Sequence, residues 1–180
     1  AIQIGSRRKA ERWTDEFSTS GAADGFSAAD QGFRQGHWNR FSVAALTPES
    51  LEGPTGLVNV IGVQPGQLWT DAWILDAQEP GVARIAVIDR YTARPRPAVG
   101  YVKGFGLGFK GALASTVAHD SHQLVVVGSD TQSMWMAVQR VMELKGGMVV
   151  CNQDQIMAEL PLPVAGLISL EPAPIIADRL

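Results

Sequence analysis

The sequence predicts an α+β fold: a mainly antiparallel sheet with one amphipathic helix, about residues 131–144, packed on one of its faces. Three observations predict it. Short β-branched runs recur along the chain, each closed by a Gly, Pro, Asn or Asp turn. A helical period is sustained in one stretch, where Ala137, Val138, Val141 and Met142 follow Met134 by 3, 4, 7 and 8 residues. Two further runs, Met148–Cys151 and Gln155–Leu160, flank Asn152-Gln153-Asp154 as a hairpin.

Taken in order, residues 1–50 read as an extended or partly disordered segment. Ser18 to Gly36 is rich in Gly, Ala, Ser and Asp and has no sustained period. Arg7-Arg8-Lys9 reads as a solvated surface. Phe26, Phe33, Trp38 and Phe41 are spaced aromatics suited to pinning such a segment onto a domain, and His37 is a lone histidine in a polar loop. Leu57–Val63 is a strand ended by Gln64-Pro65-Gly66. Leu68–Leu75 fits a strand by alternation and a short helix by its Trp69 and Trp73 spacing; strand or irregular structure is preferred. Arg84–Asp89 and Val99–Phe105 are strands, separated by the stiff Arg94-Pro95-Arg96-Pro97 loop. Gly104 to Gly111 carries glycine spacing that superficially resembles a nucleotide loop, but no long amphipathic helix follows it, so that reading is rejected. Ala114–Ala118 and Leu124–Gly128 read as buried strands. Ser129-Asp130 offers the helix an N-cap; Lys145 suits its C-terminal dipole, and Gly146 its left-handed stop. Pro161 and Pro163 end strand pairing, and the tail from Glu171 is broken by prolines.

Length and composition bound the rest. The 180 residues divide into an N-terminal segment (1–50), a domain (51–170) and a tail (171–180). A net charge of −3 argues against a nucleic-acid partner. No apolar run approaches the roughly 20 residues of a membrane span, and Ala1-Ile2-Gln3-Ile4 is too short for a signal-peptide core. The single cysteine, Cys151, sits in an apolar strand, reads as a buried inert thiol, and suits a cytoplasmic location.

The candidate chemistry is concentrated in His119-Asp120-Ser121-His122, which holds two of the three histidines and lies between two buried runs. Polar groups there need partners, because an unsatisfied buried group costs about 1–3 kcal/mol. Three readings stand open. The knot is structural, its side chains bonded to local backbone in an Asx-type turn. It is an acid–base or substrate-binding group, Asp120 fixing one imidazole. Or His119, Asp120 and His122 form a two-His, one-carboxylate metal site. Ser121 has no glycine-flanked elbow to make it a nucleophile.

Ser115-Thr116-Val117-Ala118-His119-Asp120-Ser121-His122 resembles the signature of the C-terminal domain of bacterial adenine deaminases. The resemblance runs over roughly residues 55–170. It includes Val63-Gln64-Pro65-Gly66-Gln67, Val102-Lys103-Gly104-Phe105-Gly106-Leu107, Gly146-Gly147-Met148-Val149-Val150, and the stretch from Ala158 to Ser169. It implies an amidohydrolase-type enzyme that hydrolyses adenine to hypoxanthine and ammonia on a metal-bearing barrel upstream of the matching part. No H-x-H barrel motif occurs in this chain. The expected partners are therefore the barrel, adenine and a second copy in a homo-oligomer. Mn or Fe is expected in the barrel and no metal in this chain. His119, Asp120 and His122 become pocket or second-shell candidates and Ser121 a substrate contact. Three departures stand out: Tyr91 replaces a frequent histidine, Thr92–Ala98 replaces a glycine-rich loop, and the family continues well beyond the equivalent of Ser169, so that the resemblance leads us to expect a fragment or one piece of a split or processed enzyme.

Two functions from different classes follow. One is the C-terminal part of an adenine deaminase, inactive alone, with an apolar docking face and the 119–122 turn helping to close the purine site. The other is a non-catalytic purine-binding or oligomerisation module that kept the fold.

Overall fold

A computed structural model describes residues 41–92, 94, 96–106 and 110–179. Among them lie eight strands: β1 (Leu57–Val63), β2 (Thr70–Asp76), β3 (Val82–Ile88), β4 (Ala98–Lys103), β5 (Ala112–Ser115), β6 (Leu124–Gly128), β7 (Gly147–Asn152) and β8 (Gln155–Pro161). Helix α1 (Thr131–Leu144), a 3-10 turn (Pro48–Leu51) and helix α2 (Ala173–Arg179) complete the elements. His37 and the aromatics Phe26, Phe33 and Trp38 lie outside the described residues.

The strands form one sheet in the order β2-β1-β4-β3-β6-β5-β7-β8. Its neighbours pair antiparallel except β1 and β4, which run parallel with Val60 opposite Tyr101. Side chains alternate between the two faces of a strand, and here the faces differ. Ala86, Ile88, Ala112, Ala114, Leu124, Val126, Val149 and Cys151 point to one face and meet Met134, Ala137, Val138 and Val141 of α1 in the main core. Leu51 of the 3-10 turn is buried in that core, and Phe41, Val43 and Leu46 pack against it. The opposite face has a small buried centre, Ala83, Val102 and Val127. Around it Leu57, Ile61, Ile74 and Val87 remain exposed.

The Leu68–Leu75 ambiguity resolves as strand β2. Asp71, Trp73 and Leu75 are half-buried, while Thr70, Ala72, Ile74 and Asp76 are exposed. Trp73 lies across Gly62, where a Cβ would come within 2.7 Å of the indole, so the bare glycine lets the ring lie flat on β1.

Helix α1 begins as its sequence requires. The Asp130 carboxylate accepts from the Ser133 amide at 2.8 Å, satisfying a donor that has no intrahelical partner. The C-terminus corrects one expectation. Lys145, at φ 59°, is the left-handed residue, and its amide donates to the Met142 carbonyl. Gly146 follows it at φ 122°, and a Cβ there would also stand 2.3 Å from the Gly166 Cα. The tail also differs from a broken coil, because Ala173–Arg179 is helical although none of it is buried. Pro174 is tolerated in the first turn, where an amide would lack an intrahelical acceptor, and an Arg179–Glu171 ion pair at 3.0 Å spans the segment. Among the described residues no helix is long and apolar enough to cross a membrane.

Candidate functional site

The candidate turn grows from a buried anchor. The β5 ladder ends at Ser115, and Thr116 turns its fully buried side chain inward. Its Oγ1 accepts from the Gly147 amide at 2.8 Å and donates to the Gly166 carbonyl at 2.5 Å. The chain then leaves the sheet through Val117 and reverses between Ala118 and His122. The His122 amide donates to the Ala118 carbonyl at 2.9 Å. The Ala118 amide donates in return to His122 Nδ1 at 3.3 Å. The His119–Asp120 peptide is cis, and His122 takes a left-handed φ of 48°.

Beneath the turn lies Arg90, 1% exposed. Its Nε donates to the His122 carbonyl at 2.5 Å, and one terminal nitrogen donates to the Tyr91 hydroxyl at 2.9 Å. That hydroxyl donates onward to the same carbonyl at 3.3 Å. The Arg90 amide donates to the Gln123 side chain at 3.0 Å, and its carbonyl accepts from the Ser42 amide at 2.9 Å. The guanidinium sits 4.6 Å from the Tyr91 ring centre and 5.7 Å from that of Phe41, within cation–π range. Among the described residues no carboxylate forms an ion pair with it. Burial pushes its pKa below the ordinary value, with the neighbouring Tyr91 acting the other way. It still holds its proton, because arginine starts so high. The adjacent Asp89 is engaged elsewhere. Its carboxylate accepts from the Thr92 hydroxyl and from the Tyr91 amide at 2.9 Å, and the Thr92 bond is the main reason its pKa falls to about 2.

The tips of the turn face solvent. His119 and Asp120 are 97% and 94% exposed in their side chains, joined by a 2.6 Å contact from His119 Nδ1 to Asp120 Oδ1. Ser121 is exposed and His122 half-buried. The two histidines are thus each engaged at Nδ1, one by a carboxylate and one by a backbone amide, rather than aimed together. Among the described residues no three His, Cys, Asp or Glu side chains gather closely enough to hold a metal. His119, Asp120 and His122 therefore do not fit the two-His, one-carboxylate arrangement. A cavity of about 500 Å³ beside Arg84, Tyr101, Ser129 and Thr131 lies at the other end of β6 from the turn.

Sequence reasoning found the turn but missed its support, Arg90 and Tyr91. A signal was there: Arg90 follows Ala86 and Ile88 at a spacing of two, so it falls on the side of that run that is buried.

Comparison with known proteins extends these observations. The family model described as adenine deaminase C-terminal domain matches residues 63–180. An adenine deaminase of Archaeoglobus fulgidus is 41% identical over 154 residues, which is 82% of this chain and 27% of the relative. One of Nitratidesulfovibrio vulgaris is 43% identical over 129 residues, covering 67% of this chain and 22% of the relative. One of Cereibacter sphaeroides is 45% identical over 132 residues, covering 67% and 23%. The chain thus spans about a quarter of the length of the curated relatives it matches. A matched family model over most of the chain and relatives at this identity agree: the chain belongs to the adenine deaminase C-terminal domain family.

Proposed function

We propose that this chain is the C-terminal part of an adenine deaminase, the enzyme that hydrolyses adenine to hypoxanthine and ammonia. In this reading it docks on a catalytic barrel and its 119–122 turn helps to close the purine site. The observation that carries it is the contrast within the turn: its base is locked by buried Thr116 and Arg90, while His119, Asp120 and Ser121 stand exposed. A structural knot bonds its side chains to local backbone; His122 does so, but among the described residues the His119 and Asp120 side chains meet only each other. A knot that is rigid below and bare above is suited to meeting something else, since a binding group works best when its orientation is fixed in advance. The exposed apolar side chains of the face opposite α1 suit the docking, because isolated domains seldom leave such residues in one patch. Metal chemistry, by Mn or Fe, belongs in this reading to the barrel, as the side chains of the turn do not converge.

The test uses the full-length enzyme that carries this domain. His119→Ala and His122→Ala are expected to lower adenine turnover by about one to two powers of ten, the range for deleting a positioned hydrogen-bonding group. Unchanged turnover with intact folding would remove the turn from the site and favour the non-catalytic module.

A further inference from the structure

We propose that the Ala118 amide and the buried Arg90 fix His122 as a hydrogen-bond donor through Nε2, and that this N–H is what the turn offers to an acceptor nitrogen of the purine. The inference rests on the reading of the turn given above. It begins from the direction of one hydrogen bond. A backbone amide can only donate, and the Ala118 amide points at His122 Nδ1 at 3.3 Å. Nδ1 must therefore present a lone pair. A ring accepting at Nδ1 carries its single proton on Nε2. The second bond of the same pair, His122 amide to Ala118 carbonyl at 2.9 Å, closes a small ring that holds the imidazole against its own backbone.

Arg90 supplies what that ring lacks. His122 sits at φ 48°, a conformation that costs energy for a residue with a side chain. Its carbonyl is held from below by Arg90 Nε at 2.5 Å and by the Tyr91 hydroxyl at 3.3 Å. The guanidinium itself lies against the Phe41 and Tyr91 rings, and among the described residues no carboxylate pairs with it. Arg90 touches no substrate in this arrangement. It is a positioning residue acting through the His122 backbone, while Nδ1 is occupied by Ala118 and only Nε2 remains to meet a ligand. The ligand chemistry follows: an atom with an available lone pair, such as a ring nitrogen of adenine, whose N7 is an acceptor beside the amino donor.

The experiment compares His122→Gln, His122→Ala and Arg90→Met in the full-length enzyme, with kcat and KM for adenine, and reads the wild-type tautomer by NMR with 15N-labelled histidine. Glutamine carries an N–H donor on a side chain of similar reach. The expected result is an Nε2–H tautomer, His122→Gln within about threefold of wild type, and His122→Ala lower in kcat/KM by about tenfold to a hundredfold. Arg90→Met should fall toward His122→Ala, and adding it to His122→Ala should cost little more, because both act on one contact. An Nδ1–H tautomer overturns the proposal, whether or not any variant folds. So does His122→Gln as impaired as His122→Ala, which would make the ring an acceptor or base and leave its place in the site intact. Wild-type kinetics in a folded Arg90→Met removes the positioning role. Wild-type kinetics in His122→Ala removes this proposal together with the role of the turn.

Discussion

Thr116 shows how far a single side chain can organise the region under the turn. It is fully buried, and one hydroxyl serves both the Gly147 amide and the Gly166 carbonyl, which lie 31 and 50 residues away in sequence. Thr116→Val keeps shape and volume but strands both backbone groups without a partner. The expected cost is about 1–3 kcal/mol, read as a lower urea midpoint at unchanged slope. A loss under about 0.3 kcal/mol would mean the backbone finds other partners. At this scale legibility in the sequence was uneven. Cys151 was readable as a buried thiol because apolar residues surround it in its own strand; its Sγ lies 3.0 Å from the Ser133 carbonyl, and burial raises its pKa. Thr116 was not readable as a hub, since its partners come from remote segments. The burial of Arg90 was only partly readable, since Tyr91 is its neighbour but Phe41 and the His122 carbonyl come from remote segments.

Elements were legible to the extent that their determinants are local. Helix α1 occurs at residues 131–144, as predicted, because its apolar stripe and the Asp130 cap beside it are local. Asp130 is the clearest of these. Its two oxygens accept from the Ser133 amide and the Ser133 hydroxyl, each at 2.8 Å. Asp130→Ala is expected to cost about 1 kcal/mol, measured by chemical denaturation, with Asp130→Asn losing distinctly less because it still caps. Equal losses from both variants would point to charge rather than capping. Elements whose identity depends on neighbours were harder. Strand β2 looked ambiguous because one face of it is wet and its tryptophan packing depends on Gly62 of the next strand. The parallel pairing of β1 with β4 joins segments about forty residues apart and leaves no local mark. The left-handed stop falls on Lys145, and Gly146 after it is held by a positive φ of 122° together with the close approach of Gly166, which the local sequence does not announce.

At the scale of the molecule the two sheet faces make the argument. One is closed by α1, and that core holds Leu51, Met134, Val138 and Val149 with no exposure. The other leaves Leu57 76% exposed and Ile74 70% exposed, with Ile61 beside them in the β1–β2 register. A sheet that is finished on one side and carries exposed apolar side chains on the other suits the docking proposed above. Replacing Ile61 and Ile74 together by aspartate should then have opposite consequences in two settings. In this chain the side chains already meet water, so the melting temperature should change little, each exposed substitution being worth within about 0.5 kcal/mol. In the full-length enzyme the same charges would have to be buried against the catalytic domain. Limited proteolysis should then release the C-terminal part faster, and adenine turnover should fall with it. The chain alone, followed by ultraviolet absorbance with added Mn²⁺ or Fe²⁺, should show no turnover in either form. Faster release without loss of turnover would keep the docking face and separate it from catalysis. Unchanged proteolysis would move the interface elsewhere, and chelator-sensitive turnover by the chain alone would overturn the division of labour altogether.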